Sequence, residues 1–222
     1  MSKLFVIPTP IGNLEDITFR AINTLKKVDV ILVEDTRKTG ILLKHYKIKT
    51  KLKILNQVNE HAVLNKIIEE IKLDKKMALV SDSGTPSISD PGYLLITECI
   101  KNNLSIECLP GATAFIPALV CSGIPSDRFF FEGFLPRKKG RKKRLLELSE
   151  LTKTIIIYES PKRLVKLLTE LIFYFEEDRY ACVSREISKI YEEHKRGTLT
   201  QLLKHFQNET VKGEITITIK AK

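Results

Sequence analysis

The residues best suited to chemistry lie in one polar segment, Ser81–Gly92, which directly follows the apolar run Met77–Val80. Its twelve residues include two glycines, two prolines, five hydroxyls and two carboxylates, with one apolar side chain. Glycine lets the backbone approach a ligand closely, proline fixes φ, and the polar groups supply hydrogen-bond donors and acceptors. Because ligands of open α/β sheets bind beyond the carboxyl ends of the strands, we interpret this segment as a binding loop. A long solvated turn is the alternative.

A second polar cluster, Glu34–Arg37, follows the apolar run Val30–Val33 and contains two carboxylates and one guanidinium. That is more charge than a loop requires. The cluster is consistent with an internal ion pair and with a catalytic or ligand-binding set, and the sequence favours neither. Two turn-rich segments, Thr9–Asn13 and Pro110–Ala114, also follow predicted strands. This recurrence strengthens the interpretation of the first segment as a binding loop.

The segment Arg137–Arg144 carries seven cationic side chains in eight residues. No acidic residue follows until Glu147, so we expect little neutralisation from within the chain, and a polyanion is the natural partner. A solvated loop is the alternative. The formal net charge of +10 adds little, because only ten of the 37 basic residues are arginines and the composition is rich in lysine, isoleucine and asparagine.

Several classes of function and site are disfavoured. No Gly-x-Gly-x-x-Gly pattern follows the first strand and no Gly-x-x-x-x-Gly-Lys loop occurs, which argues against dinucleotide binding and nucleotide hydrolysis. Ser83 has no plainly placed histidine base and lacks the first glycine of a nucleophile elbow. The four cysteines and four histidines show no metal-ligand spacing, so we predict no metal site. No apolar run approaches about 18 residues, so we expect a cytoplasmic protein without a membrane span.

The order of apolar runs predicts an α/β protein with two domains. Strand and helix alternate five times between Lys3 and Val120, with crossovers long enough for parallel pairing. The break at Cys121–Pro125 predicts a boundary between domains 1–122 and 126–222. The second domain is predicted to be smaller and mixed in strand direction. Its expected elements are strands at 154–158 and 180–185, a helix begun by Ser160 and Pro161, a helix at 199–206 and a half-buried last strand at 215–219.

Six motifs carry a resemblance to a known family. In chain order they read TPIGNLEDIT, EDTR, VSDSGTPSISDPG, LPGATA, SDRFFFEGFLPRK and YESPKRL. The chain resembles the ribosomal RNA small-subunit methyltransferase I family, a bacterial branch of the tetrapyrrole methylase superfamily. The resemblance implies two α/β domains of the class III S-adenosylmethionine-dependent type, with the cofactor in the interdomain cleft. It also implies a homodimer that methylates the ribose 2′-hydroxyl of cytidine 1402 in 16S rRNA of the small ribosomal subunit.

The same resemblance implies the residues of the site. For the cofactor these are Thr9, Pro10, Asp82, Ser83, Gly84, Thr85, Pro86, Gly111, Ala112 and Thr113, with Tyr158 and Pro161 closing the cleft from the second domain. The loops concerned contain no lysine or arginine, as a positive sulfonium requires. Candidates for the base are Glu34, Asp35 and Glu159, with Arg37 orienting a phosphate or a carboxylate, and the sequence does not choose among them. The expected RNA-binding residues are Arg137, Lys138, Lys139, Arg141, Lys142, Lys143 and Arg144.

Two other functions remain open on sequence alone. A small-molecule methylase of the same fold, acting on a tetrapyrrole, is disfavoured by the basic segment. An RNA-binding assembly factor that has lost catalysis is disfavoured by the intact cofactor loop. The homodimer rests on the resemblance and on the apolar segment Phe129–Leu135, for which a buried strand is the alternative.

Overall fold

The computed structural model describes residues 3–222 and divides the chain into two compact units. The first unit ends at Thr113, and the second comprises Ala114–Lys222. Each unit contains one five-stranded sheet with helices, so the predicted α/β class is confirmed. Within the described residues, every helix is too short or too polar for a membrane span.

The first unit is a parallel sheet whose successive strands are joined by helices. Its strands are β1 (Lys3–Val6), β2 (Val30–Val33), β3 (Lys51–Ile54), β4 (Lys76–Leu79) and β5 (Ser105–Cys108). Its helices are α1 (Phe19–Lys27), α2 (Thr36–His45), α3 (Glu60–Lys72) and α4 (Tyr93–Lys101), with a 3-10 turn at Leu14–Asp16. The strand order is β3-β2-β4-β1-β5, and every pairing is parallel, as predicted.

Both faces of this first sheet are buried. Strand β2 places alternate residues, such as Ile31 and Leu32, in two different cores. Helices α1 and α2 complete one core, and helices α3 and α4 complete the other. Two-sided burial explains why β2, which lies inside the sheet, reads as a continuous apolar run, whereas the edge strands β3 and β5 contain polar residues. Helix α1 begins with a local signal, since the Thr18 hydroxyl accepts a hydrogen bond from the Ala21 amide at 3.0 Å.

The second unit is a mixed sheet, as predicted. Its strands are β6 (Phe129–Phe134), β7 (Thr154–Glu159), β8 (Tyr180–Arg185), β9 (Glu193–Thr198) and β10 (Ile215–Ile219). Its helices are α5 (Phe115–Ser122), α6 (Arg141–Ser149), α7 (Leu164–Phe175) and α8 (Leu199–Phe206), with a 3-10 turn at Pro161–Arg163. The strand order is β6-β7-β10-β8-β9, in which β6 and β7 are parallel and the other pairings are antiparallel.

The prediction of a half-buried last strand is wrong, because β10 is central and every one of its residues is buried. Its three isoleucines belong to the core of the second unit. Thr216 and Thr218, which point the other way, are 3% and 0% exposed. Helix α5 packs against β8, β9 and β10. The alternating pattern therefore reflects two buried faces of different polarity, and neither face lies in water.

Helix α5 also determines where the chain divides. The Phe115 ring stacks on Phe131 with 4.6 Å between ring centroids. At the other end of the helix, the Arg196 guanidinium of β9 donates to the Cys121 carbonyl. The helix is therefore part of the second unit, and the division precedes α5, whereas the sequence places it after the helix at 121–125.

Candidate functional site

Three loops meet where β1, β4 and β5 end at the carboxyl edge of the first sheet. The backbones of Thr9 and Gly84 pair as an antiparallel bridge, with N···O distances of 2.9 and 3.1 Å. The Thr9 hydroxyl donates to the Ser81 carbonyl at 3.1 Å, and the Thr85 hydroxyl donates to the Ala112 carbonyl at 2.9 Å. The predicted cofactor segments of the first unit thus form one surface. We name it the three-loop junction, which comprises residues 9–13, 81–92 and 110–113.

Glycine is required at two places in the three-loop junction. A Cβ on Gly111 would lie 2.4 Å from the Cβ of Pro8, far inside the contact distance. Gly84 has a φ of +84°, and a Cβ there would lie 3.3 Å from the Ile11 side chain. The loops approach each other this closely only because both residues lack a side chain.

The Glu34–Arg37 segment lies beside the three-loop junction. The Asp35 amide donates to Oδ1 of Asp82 at 3.2 Å. The Lys38 ammonium lies 2.8 Å from Oδ2 of the same carboxylate. The structure therefore brings a predicted catalytic segment against a predicted cofactor residue. Sequence reasoning missed Lys38, whose only signal is its position directly after the charged cluster, in the first turn of α2.

Asp35 secures the start of helix α2. Its Oδ1 accepts a hydrogen bond from the Arg37 amide at 2.9 Å, which makes Asp35 the N-cap. The Arg37 guanidinium bonds both carboxylate oxygens, at 3.1 and 2.6 Å. These bonds from Arg37 lower the pKa of Asp35 to about 2. Asp35 and Arg37 therefore form an internal ion pair, which was one of the two interpretations of this cluster. The low pKa also makes Asp35 a weak proton acceptor.

Glu34 differs from its neighbour. Its carboxyl is partly buried, and desolvation raises its pKa, with a further increase from the negative charge of Asp82. Within residues 3–222, neither a hydrogen bond nor an ion pair occupies this carboxylate. A carboxylate with a raised pKa and unoccupied oxygens is suited to accept a proton.

Glu159 is engaged in the interior of the second unit and is 2% exposed. Its Oε1 accepts hydrogen bonds from Nε of Arg163 and from the Ser160 amide, each at 2.7 Å. Its Oε2 lies 3.8 Å from the Arg141 guanidinium. The predicted capping role of the Ser160 hydroxyl is not observed, because that oxygen accepts from Arg163 at 3.2 Å and makes no cap bond. Glu159 therefore serves as a buried partner of two arginines.

The Arg137–Arg144 segment contains two kinds of cation. Arg141 pairs with Glu170 of α7 and Arg144 pairs with Glu132 of β6, each through N···O contacts as short as 2.6 Å. The expectation that no acidic residue neutralises this run is wrong for these two arginines, because their partners lie far from them in sequence or precede the run. The remaining cations are exposed, and they are Arg137, Lys138, Lys139, Lys142 and Lys143.

The other two predicted cofactor residues lie in the second unit. The Tyr158 hydroxyl accepts a hydrogen bond from the Phe115 amide at 3.1 Å, and its ring contacts Phe131 edge-on with 5.0 Å between centroids. Pro161 opens the 3-10 turn that precedes α7. Contact of Tyr158 and Pro161 with the cofactor stays a prediction.

The charges beside the three-loop junction fit a positively charged cofactor. The carboxylates of Glu34, Asp35 and Asp82 outnumber the cations of Arg37 and Lys38, so the local charge is negative. The Lys38 ammonium is held by Asp82. A sulfonium is therefore favoured over an anion here. Among residues 3–222, no group of three or more His, Cys, Asp and Glu side chains is placed to hold a metal ion.

Comparison with known proteins decides the family. The model of the tetrapyrrole (corrin/porphyrin) methylases matches residues 3–203. The chain belongs to the tetrapyrrole methylases. This methylase is 42% identical over 222 residues to the "Ribosomal RNA small subunit methyltransferase I" of Thermotoga maritima, with 100% of both chains covered. It is 47% identical to the protein of that name from Hydrogenobaculum sp., with 98% of this chain and 95% of the relative covered.

Solved structures of proteins with low sequence identity share the fold. A diphthine synthase matches with a TM-score of 0.77 at 14% identity, over 98% of this chain and 89% of its own. A cobalt precorrin-4 methyltransferase matches with a TM-score of 0.73 at 18% identity, over 99% and 95%. The predicted class III fold is confirmed, and so is the prediction of an S-adenosylmethionine-dependent methyltransferase. The roles of individual site residues stay predictions.

Proposed function

We propose that this methyltransferase transfers a methyl group from S-adenosylmethionine to a ribose 2′-hydroxyl of the small-subunit ribosomal RNA. The position implied by the resemblance is cytidine 1402 of 16S rRNA. Support comes from the relatives at 42% and 47% identity, both named for methylation of this RNA. A cytoplasmic location is part of the proposal, because ribosomal subunits are assembled there.

The residues of the three-loop junction would hold the cofactor. These are Thr9, Pro10, Asp82, Ser83, Gly84, Thr85, Pro86, Gly111, Ala112 and Thr113. When bound, S-adenosylmethionine supplies an activated methyl group. The junction contributes backbone and hydroxyl groups fixed by the bonds between its loops, and such fixed groups position a ligand without being reorganised.

The observation that carries the chemistry is Glu34, a carboxylate beside the junction whose pKa is raised and which makes neither a hydrogen bond nor an ion pair among residues 3–222. A ribose hydroxyl is a poor nucleophile, so its proton must be removed as it attacks the methyl group. We propose Glu34 as the acceptor of that proton. Of the other candidates, Asp35 is committed to Arg37, and Glu159 is committed to Arg163.

Methyl transfer to small subunits that lack the modification tests this function. Labelled S-adenosylmethionine should label the subunit RNA, and a precorrin offered in its place should stay unlabelled. Glu34→Gln should lower kcat about 10²-fold or more, whereas cofactor affinity should fall much less, by the loss of one nearby negative charge. Glu69→Gln, an exposed change on α3, is the matched control and should leave kcat unchanged.

The wild-type rate should rise as the pH rises through the raised pKa of Glu34, because only the ionised carboxyl accepts a proton. A Glu34→Gln variant with full kcat would remove this residue from the mechanism.

We also propose a homodimer. Strand β6 lies at an edge of the second sheet, and its Phe129 and Phe134 side chains are 39% and 53% exposed. Exposed aromatic side chains on a sheet edge are typical of a contact surface. Light scattering at micromolar concentration should give a dimer, and Phe134→Lys should shift it towards monomer. A monomer in the wild type would reject the proposal.

A further inference from the structure

We propose that Arg141 and Arg144 are positioning residues, which fix helix α6 so that the other cations of the basic segment form a ready-made phosphate-binding face. The inference rests on the proposed function, which makes the polyanion an RNA. We name the pairs Arg141 with Glu170 and Arg144 with Glu132 the guanidinium clamps. The exposed cations of the segment, which we call the free cations, are Arg137, Lys138, Lys139, Lys142 and Lys143.

Each of the three guanidinium nitrogens of Arg141 is already engaged within the protein. Its side chain is 7% exposed. Nε and Nη2 donate to Oε2 of Glu170 at 2.9 and 2.6 Å, and Nη1 donates to the Pro136 carbonyl at 3.1 Å. Nη2 also faces Glu159 at 3.8 Å. The residue therefore ties the start of α6 to α7 and to the residue that precedes the basic segment.

Arg144 is engaged in a similar way one turn further along α6. Nε and Nη2 donate to Oε2 of Glu132 at 2.9 and 2.6 Å, and Nη1 donates to Glu147 at 3.0 Å. Its guanidinium carbon lies 5.3 Å from the centre of the Phe130 ring. A phosphate would compete with two carboxylates for this side chain, which is 34% exposed, so direct RNA contact by Arg144 is unfavourable.

The clamps hold the free cations in an arrangement that is unfavourable by itself. Lys142 and Lys143 lie in the first turn of α6, where the helix dipole disfavours positive charge. Lys143 has only a long ion pair among the described residues, 3.9 Å from the Glu147 carboxylate, which also accepts a hydrogen bond from Arg144. The Arg141 amide bonds the Lys138 carbonyl at 3.2 Å, so the chain before the helix is a fixed turn. A surface of like charges held rigid by buried ion pairs suits an anionic partner, because its side chains lose less freedom on binding.

The variant Glu132→Gln distinguishes a positioning role of Arg144 from direct RNA binding, because it removes a clamp carboxylate and keeps all seven cations. The probe is a single-stranded fragment of the 16S decoding region, titrated at several salt concentrations. A positioning role predicts RNA affinity about three- to tenfold weaker, as the face loses its order, with an unchanged salt slope. Direct binding predicts the opposite, since a freed guanidinium would strengthen affinity and steepen the slope. That opposite result would overturn the proposal.

Two further variants complete the experiment. The swap Glu132→Arg with Arg144→Glu rebuilds the clamp in reverse, so it should restore the affinity that Glu132→Gln loses. Replacing Lys138, Lys139, Lys142 and Lys143 by Ala should flatten the salt slope by about 3, at about 0.7 per phosphate contact. An unaltered slope in this quadruple variant would overturn the phosphate-binding face. It would leave the proposed methylation standing, because labelling of the subunit decides that separately. Unchanged cofactor affinity shows that each variant is folded.

Discussion

The three-loop junction and the Arg137–Arg144 segment are both polar, but different kinds of interaction stabilise them. In the junction, backbone carbonyls and hydroxyls of Thr9 and Thr85 join the loops, and glycines allow the close approach. In the basic segment, two arginines form buried or half-buried ion pairs with Glu170 and Glu132. One region is shaped by neutral hydrogen bonds and the other by charge pairs.

This difference shows how a chain presents charge of either sign. Neutral bonds leave the junction free of fixed cations of its own, and the nearby carboxylates make it suitable for a cationic cofactor. In the basic segment, ion pairs engage Arg141 and Arg144, and the other five cations stay exposed. The number of charged residues in a segment therefore does not measure the charge that a partner meets.

The largest effect should come from Arg141→Met, which breaks a guanidinium clamp and leaves the Glu170 and Glu159 carboxylates without this cation. Removal of one partner of a buried ion pair costs about 3–5 kcal/mol. Urea denaturation should show this loss of stability. Arg137→Met, an exposed change in the same segment, should stay within about 0.5 kcal/mol of wild type. Equal midpoints for both variants would show that the charge pairs do not hold this region.

A smaller effect is expected in the junction from Gly111→Ala. The new methyl group would overlap Pro8, at a cost of about 1–3 kcal/mol, and cofactor affinity should fall because Thr9 adjoins Pro8. Calorimetry and denaturation measure the two quantities. Gly40→Ala in α2 meets no atom within 4 Å and should stabilise the protein by about 0.5–1 kcal/mol. Wild-type cofactor affinity in Gly111→Ala would show that close approach of these loops is not needed for cofactor binding.

The Asp35 ion pair gives a pH dependence. Because Arg37 lowers the folded-state pKa of Asp35 from 3.8 to about 2, the stabilisation is complete above pH 3.8 and is lost as the pH falls through about 2. An NMR titration of the Asp35 carboxyl should show its midpoint near 2, and Arg37→Gln should raise it towards 3.8. Lys49→Gln, a distant exposed change, is the control. A midpoint that Arg37→Gln does not move would contradict the ion pair.

The smallest effect on stability should come from Lys142→Ala. This exposed side chain is one of the free cations, so the free energy of unfolding should change by less than about 0.5 kcal/mol. The logarithmic salt slope of RNA binding should nevertheless fall by about 0.7. A salt titration paired with denaturation measures both. Loss of stability with no change in slope would place Lys142 among the structural cations.

Apolar runs of strand or helix length predicted those strands and helices whose formation depends on local sequence. The bounds of β2, β8 and α8 agree with the runs at 30–33, 180–185 and 199–206. Strand β9 (Glu193–Thr198) was not predicted, because it reads as polar residues without alternation. It forms a strand because it pairs with β8 at the edge of the sheet.

The loops of the site could be predicted from the sequence, whereas the ion pairs and pKa shifts could not. Turn-rich residues after three strands identified the junction, because parallel strands end at a common edge. The partner of Arg141 lies 29 residues away in α7, and no local pattern indicates that two helices will bring these charges together. Glu34 and Asp35 are adjacent carboxylates in sequence, and only their surroundings give them opposite pKa shifts.

The most direct test of the account is to locate the transferred methyl group. Small subunits lacking the modification are incubated with the protein and labelled S-adenosylmethionine, and the RNA is digested to nucleosides and analysed by mass spectrometry. We predict one labelled product, a cytidine methylated on the ribose 2′-oxygen, which forms about 10²-fold more slowly with Glu34→Gln. Label on a base, or no label from a protein that binds the cofactor, would contradict it.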